Sequence, residues 1–444
     1  MKAKSKFIPV MCSLILFVPA ALLPRITLAQ TNYYWTTPVS SLLNGGSPQS
    51  ATVDSAGNLY IADANKHVIL KVAPVGTNWA VSTIAGLAGS YGSNDGTNNA
   101  ARFDSPGGVA VDAADNLYVA DSGNNDIREV TPSGTNWIVT TIAGAASSSS
   151  GSNDGTNGTA QFAFPLGIAV DASGNLFIGD NGNTTIRKIS HSGTNWVTTT
   201  IAGTAGVGGY VDATNGDAQF AYPFGVAVDA ADNVYVADAV NEIIRKVTPS
   251  GTNWIVTTIA GQVGSPGGND GTNLDAQFNF PTGINVDTAG NVYVSDTFND
   301  SIRRLTPSGT NWIVTTIGGS AGSAGLADGT NDVAQFSAPQ GVAVDGEGNV
   351  YVGDTGNNAL RLGFLFPPSL QVALITNQIT LFYPAGLGTN FNFILQSTTD
   401  LANNDWAVVT NQWQLDDNGT PYISLVRSND VPDEFFRLEL PSSP

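Results

Sequence analysis

A period of 58 residues governs most of this chain. Aligned on the aspartate that closes a short apolar run, the copies fall at Asp54, Asp112, Asp171, Asp229, Asp287 and Asp345, in steps of 58 or 59 residues. A second aspartate keeps the period (Asp63, Asp121, Asp180, Asp238, Asp296, Asp354), and so do Trp79, Trp137, Trp196, Trp254 and Trp312 in Gly-Thr-Asn-Trp turns. Such regularity means one supersecondary unit copied in tandem. Inside each copy, four runs rich in Val, Ile, Thr and Tyr are separated by Gly, Asn, Asp and Pro clusters, the pattern of short strands and turns. In the fourth copy the strands are expected at Val226 to Asp229, Val234 to Ala237, Ile243 to Val247 and Ile255 to Ala260, and no helical period intervenes.

A four-stranded antiparallel unit at this spacing predicts the blade of a β-propeller, with an open β-solenoid as the alternative. The two ends of the array decide between them. The sixth copy stops after Leu360-Arg361-Leu362, without a fourth strand, whereas Thr31 to Thr37 at the chain start matches the fourth-strand segment Thr252 to Thr258. A solenoid needs no such exchange. A ring does, because an N-terminal strand that completes the last blade removes the exposed edges that invite aggregation.

The pattern Pro-x-Gly-Val-Ala-Val-Asp, Asn-Leu-Tyr-Val-Ala-Asp, Asn-x-x-Ile-Arg-Lys resembles the NHL repeat over residues 31 to 364. That resemblance implies a six-bladed propeller, used mostly as a binding platform and occasionally as an enzyme scaffold. The expected organisation is all-β: a signal peptide over 1–29, a six-bladed propeller closed by an N-terminal strand over 30–364, a linker over 365–368 and a small β-sandwich-like domain over 369–444. The last of these, with Phe393 to Leu401, Trp406 and Phe435 to Leu438, resembles a C-terminal module of exported bacterial multidomain proteins.

The first 29 residues place Lys2, Lys4 and Lys6 before the apolar run Phe7 to Leu23 and end on Thr27-Leu28-Ala29, which reads as a secretory signal and predicts a periplasmic or extracellular protein. The one cysteine, Cys12, lies inside that run and leaves with it, so the mature chain has no disulfide framework and no thiolate site. Loss of three lysines and Arg25 moves the formal charge from −19 to −23. Nucleic acid is excluded as a partner, since phosphate backbones require clustered Lys and Arg. No later apolar run approaches the roughly 20 residues of a membrane span, and a monomer is expected.

Antiparallel topology assigns features to two rims. The loops from the fourth strand to the next first strand share the rim of Asp238 and its equivalents. They carry Asp95, Asp154, Asp212, Asp270 and Asp328, then Phe103, Phe162, Phe220, Phe278 and Phe336, then proline. The repeated Phe and Trp read as packing between blades, and the repeated aspartates as turn formers and partners of Arg128, Arg187, Arg245, Arg303 and Arg361. No cofactor is expected, with calcium in the Asn-Asp-Gly-Thr-Asn loops (94–98, 153–157, 269–273) as the alternative, because oxygen ligands are dense there.

Enzymes on similar propellers, such as the amidating lyase that this repeat resembles, use histidine-held zinc near the axis. Here His67 is expected in the third strand of the first unit and His191 in a turn on the opposite rim, too far apart to share an ion. Ser or Thr nucleophiles would lack a histidine base nearby. The enzyme reading that survives is a calcium-dependent, lactonase-like site, or another hydrolase or lyase, on the axis. The favoured reading is a binding or scaffold protein for a protein or carbohydrate ligand. Its face is placed on the long-loop rim, because the copies differ there. Phe164, Leu166, Tyr222, Phe224 and Phe280 flank the prolines of the middle repeats, and a ligand without sixfold symmetry needs such an asymmetric surface.

Overall fold

The computed structural model describes residues 32–42, 45–76, 78–144 and 149–366, together with seven strands between residues 371 and 439. Among the described residues there is no α-helix, only three-residue 3-10 turns between strands. Six antiparallel sheets of four long strands each form a six-bladed propeller. Blade 1 comprises Pro48–Val53, Leu59–Asp63, Val68–Val75 and Asn78–Ala85, from the axis outwards, and blade 4 comprises Pro223–Val228, Val234–Asp238, Ile243–Ser250 and Asn253–Ala260. The five residues of each second strand are all buried. Blades press on both faces of that strand, which is why its sequence is mostly apolar up to the closing aspartate and not alternating.

The hairpin between first and second strands is fixed by the first aspartate series. Asp229 Oδ1 accepts the amides of Ala231 and Asn233 at 2.9 Å each, and its Oδ2 accepts Asn233 Nδ2 at 2.8 Å and the Tyr235 hydroxyl at 3.1 Å. The same tyrosine, or Phe177 in blade 3, meets the tryptophan of the next blade edge-on: Tyr60 with Trp137, Tyr118 with Trp196, Phe177 with Trp254, Tyr235 with Trp312 and Tyr351 with Trp79. The rim with the Trp turns is therefore one repeated seam around the ring.

Closure occurs in blade 6. Its outer strand is Asn32–Val39, lying between Ala359–Phe366 and the two-residue strand Gly329–Thr330. Trp35 is fully buried there, donates from Nε1 to the Ile317 carbonyl at 2.7 Å and meets Phe336 edge-on at 5.0 Å. At the axis the inner strands nearly touch. A Cβ on Gly108, Gly167, Gly225 or Gly283 would strike the backbone carbonyl of Leu166, Phe224, Thr282 or Gln340 in the following blade. The repeated glycine thus sets how tightly the ring can close.

Beyond the propeller, the described strands pair as two small antiparallel sheets. One orders Gln371–Ile375, Gln378–Phe382, Pro421–Val426 and Gln414–Leu415, and the other Ala407–Val408, Ile394–Thr398 and Phe435–Glu439. The side-chain packing that would make a sandwich of them lies outside the described residues, as do the signal segment 1–29 and residues 367–368 of the linker 365–368, whose first two residues end the strand Ala359–Phe366.

Candidate ligand face on the long-loop rim

The second aspartate series anchors this rim. Asp238 is fully buried at the end of its strand. It accepts the Ala221 amide at 2.7 Å, Asn241 Nδ2 at 2.8 Å and Arg245 Nη1 at 3.0 Å. The other arm of Arg245 holds the loop carboxylate Asp212 at 2.7 Å, and its guanidinium lies 5.0 Å over the Phe220 ring. Burial pushes the Asp238 carboxyl up to about 6 against the pull of its partners. The same Asp, Arg, Asp and Phe recur in blades 2, 3, 5 and 6, so both acid series and the Phe series are occupied in holding loops to blades. Blade 1 departs from this scheme, with Leu70 in the arginine position.

A second repeated device sits at the residue before each proline, which adopts a left-handed conformation: Ser105 (φ 50°), Phe164 (49°), Tyr222 (58°), Phe280 (54°) and Ala338 (44°). A bulky side chain there costs roughly 1–3 kcal/mol and persists only where its surroundings enforce it. Three of these amides donate across to the preceding blade, Ser105 to His67 Nδ1 at 3.0 Å, Phe164 to Asn125 Oδ1 at 2.7 Å and Ala338 to Asp300 Oδ1 at 2.8 Å. Before Tyr222 and Phe280 the same station holds Thr184 and Glu242, whose buried Oγ1 and Oε2 have no hydrogen-bond partner. The two strained aromatic segments of blades 4 and 5 therefore lack the latch that fixes the others.

These segments carry an apolar patch. Phe224 meets Phe280 edge-on at 6.2 Å, and Phe280 stacks on Phe298 at 4.8 Å with the rings 14° apart. Phe164, Tyr222, Val240 and Phe298 are exposed, at 49, 54, 49 and 59%. Phe224 and Phe280 are partly exposed, whereas Leu166 is buried in the wall of the axial channel. Four of the five residues singled out from sequence thus reach the surface of this rim. Phe298 and Val240 were missed. The signal was available: they replace the glycine of the other Asp-x-Gly-Asn turns (Gly123, Gly182, Gly356) in adjacent blades.

The patch borders a channel of about 170 Å³ along the axis. Every lining residue from blades 2 to 4 is apolar or glycine, and the polar ones, Gln49, Ser50, Thr52, Thr282 and Asn285, come from blades 1 and 5. The channel has room for a few waters and falls below the ~300–1,000 Å³ of sites that enclose small molecules. No carboxylate or imidazole lines it, and among the described residues no three His, Cys, Asp or Glu side chains are grouped to hold a metal. His67 proves to lie on the long-loop rim just before its strand, 3.6 Å from Asp104, and not within the strand. His191 lies within the strand Thr185–Ser192, against Trp196, and not in a turn.

Residues 36–131 match the Teneurin NHL domain and residues 336–361 the NHL repeat. The Arabidopsis thaliana protein SUPPRESSOR OF QUENCHING 1, chloroplastic, is 30% identical over 333 residues, which cover 71% of this chain and 30% of that protein. NHL repeat-containing protein 2 of Bos taurus is 27% identical over 350 residues, covering 71% of this chain and 46% of its own. The chain therefore spans less than half the length of these curated relatives. Among solved structures, an auxiliary nutrient binding protein from Bacteroides thetaiotaomicron shares the fold, with a TM-score of 0.54 at 17% identity over 76% of each chain. The chain carries NHL repeats, folded as a six-bladed β-propeller.

Proposed function

We propose that the protein is an exported, non-catalytic binding protein that recognises a protein or carbohydrate ligand on the long-loop face. The observation that carries this reading is the patch of Tyr222, Phe224, Phe280 and Phe298, in which Tyr222 and Phe280 stand on strained, unlatched backbone in two adjacent blades. Strain of that kind persists where function retains it. The size of the axial channel favours recognition at its mouth over enclosure within it. Export rests on the basic and apolar pattern of residues 1–29. The alternative, a calcium-dependent lactonase or similar enzyme on the axis, needs carboxylates there, whereas the repeated aspartates are engaged in turns and with arginines.

Aromatic anchors at an interface centre commonly contribute 2 kcal/mol or more, so Tyr222→Ala with Phe224→Ala is expected to weaken a ligand found on glycan and peptide arrays by about 30-fold. A control at Trp254 and Ile255, on the opposite rim, keeps its affinity. Loss in the control with retention in the double variant reverses the face assignment. Chelator-sensitive turnover of a lactone or ester establishes the enzyme reading instead.

A further inference from the structure

Among the described residues, one outer strand of the ring has no covering segment. In blades 2 to 6 the entering loop lays a short Asp-x-Thr-Asn turn along the outer strand of the blade it enters. In blade 2, Thr97 and Gly96 pair with Ile138 and Val139, Asn98 Oδ1 accepts the Trp137 amide at 2.7 Å, Asn98 Nδ2 donates to Asn136 Oδ1 at 2.8 Å, and Asp95 accepts the Thr141 hydroxyl at 2.9 Å. Equivalent amide bonds run from Trp196 to Asn157, Trp254 to Asn215, Trp312 to Asn273 and Tyr33 to Asn331. The outer strand of blade 1, Asn78–Ala85, ends its sheet with no such partner among the described residues. The reason is topological, since the chain before blade 1 is already the outer strand of blade 6.

The consequences are visible in side chains. Val81 is partly exposed, whereas Val139, Thr198, Val256 and Val314 in its position are 1% exposed and Trp35 is fully buried. Asn78, Ser82 and Thr83 are exposed. The strand contains no proline and no charge, the devices by which open edges are usually protected from pairing.

We propose that this edge is a docking strip for an extended segment of a partner protein that carries Gly-Thr-Asn and adds to Asn78–Ala85 as an antiparallel strand. The five filled slots define the chemistry of the occupant. Its asparagine accepts the Trp79 amide and donates to the Asn78 side chain, its threonine stands opposite Ala80, and its glycine covers Val81. The acid that precedes glycine in the chain's own turns is dispensable here, because Leu70 replaces the arginine that such an acid would meet. Main-chain bonds supply the affinity and the asparagine supplies the selectivity. This surface is independent of the long-loop face.

The test is amide hydrogen exchange on the full chain, with a synthetic peptide of residues 93–101 carrying Asp95→Asn as probe. In the free protein, the outward amides of Asn78–Ala85 exchange at least about tenfold faster than those of Asn136–Ala143, the difference expected from one hydrogen bond each. Millimolar peptide slows them selectively, and the same peptide with Asn98→Ala does not. The proposal fails if the Asn98→Ala peptide protects equally, or if neither does. It also fails if these amides are already as slow as those of blade 2. Light scattering then shows whether a second copy or the chain's own residues fill the slot.

Discussion

Arg245 is fully buried between two carboxylates and over a ring, and most of its energetic weight lies in what its removal would strand. Arg245→Leu leaves Asp238 buried without its cation, a loss expected to cost about 3–5 kcal/mol, read as a lowered urea midpoint. Adding Asp238→Asn recovers part of it. The pattern could be read from the sequence, because Asp and Arg repeat in step, but Asp126 could not. It occupies a position held elsewhere by Val68, Thr185, Ile243, Ser301 and Ala359, and its isolated acid looks like a surface residue. In the structure it is buried opposite Asp121, and its Oδ1 has no partner. Burial and the charge of Asp121 push its carboxyl up. Burial raises the Asp121 carboxyl too, but it has Arg128, Asn124 and the Asp104 amide as donors and Asp126 has none to offset its burial, so the pair carries its charge on Asp121. Asp126 therefore holds a proton in the folded state that the unfolded chain releases near pH 4. Its contribution is complete below that pH and is lost as pH rises through the raised folded value. Asp126→Asn should thus lose less stability than the parent chain in denaturation series from pH 5 to pH 9, and parallel losses would assign the proton elsewhere.

At the level of strands and turns, sequence reasoning succeeded where chemistry repeats and faltered where elements are very short. The Asx hairpins and the four long strands were legible because Asp, Asn and Gly recur at fixed offsets. The two-residue capping strands such as Gly96–Thr97 were not, since two residues carry no periodicity. The site was half legible for a related reason. Variation around proline pointed to Tyr222, Phe224 and Phe280, but Leu166, one residue past its proline, turns into the axial wall because Gly107 leaves it space. Phe298 faces outward instead, on a turn whose amide bond to Asn279 is 3.1 Å, against 2.8 Å for glycine at 123 and 182. The inner strands give the sharpest test. Gly225→Ala drives a methyl group into the Thr282 carbonyl. Overpacking of this kind typically costs about 1–3 kcal/mol. The same change at Gly174, where a Cβ meets nothing but φ is 80°, carries only the backbone penalty, so Gly225→Ala should show the larger fall in melting temperature.

For the whole molecule, the decisive feature is that residues roughly 300 apart in the chain share one sheet, as in the bond of the Tyr33 amide to Asn331. Each blade packs its face against the next through clusters that mix residues of two neighbours, and the last of these unites Tyr33 and Trp35 with Tyr293, Ile302, Phe336 and Val342. The N-terminal strand therefore supports blades 5 and 6 together and, through Trp79 on Tyr351, the start of the ring as well. Trp35→Ala removes a fully buried indole, its bond to Ile317 and its contact with Phe336, a loss expected to cost about 3–5 kcal/mol. If the ring is one cooperative unit, that loss appears in every blade. Native-state hydrogen exchange should then show the slowest amides of blade 3, Leu176–Asp180, losing as much protection as those of Val350–Asp354 in blade 6. If the repeats instead behave as a chain of neighbours, the effect decays with distance from blade 6 and blade 3 keeps its protection. The second result would mean that the strand fills one blade without closing the circle energetically. The propeller would then have to be treated as six coupled units, with stability graded around the ring from blade 6.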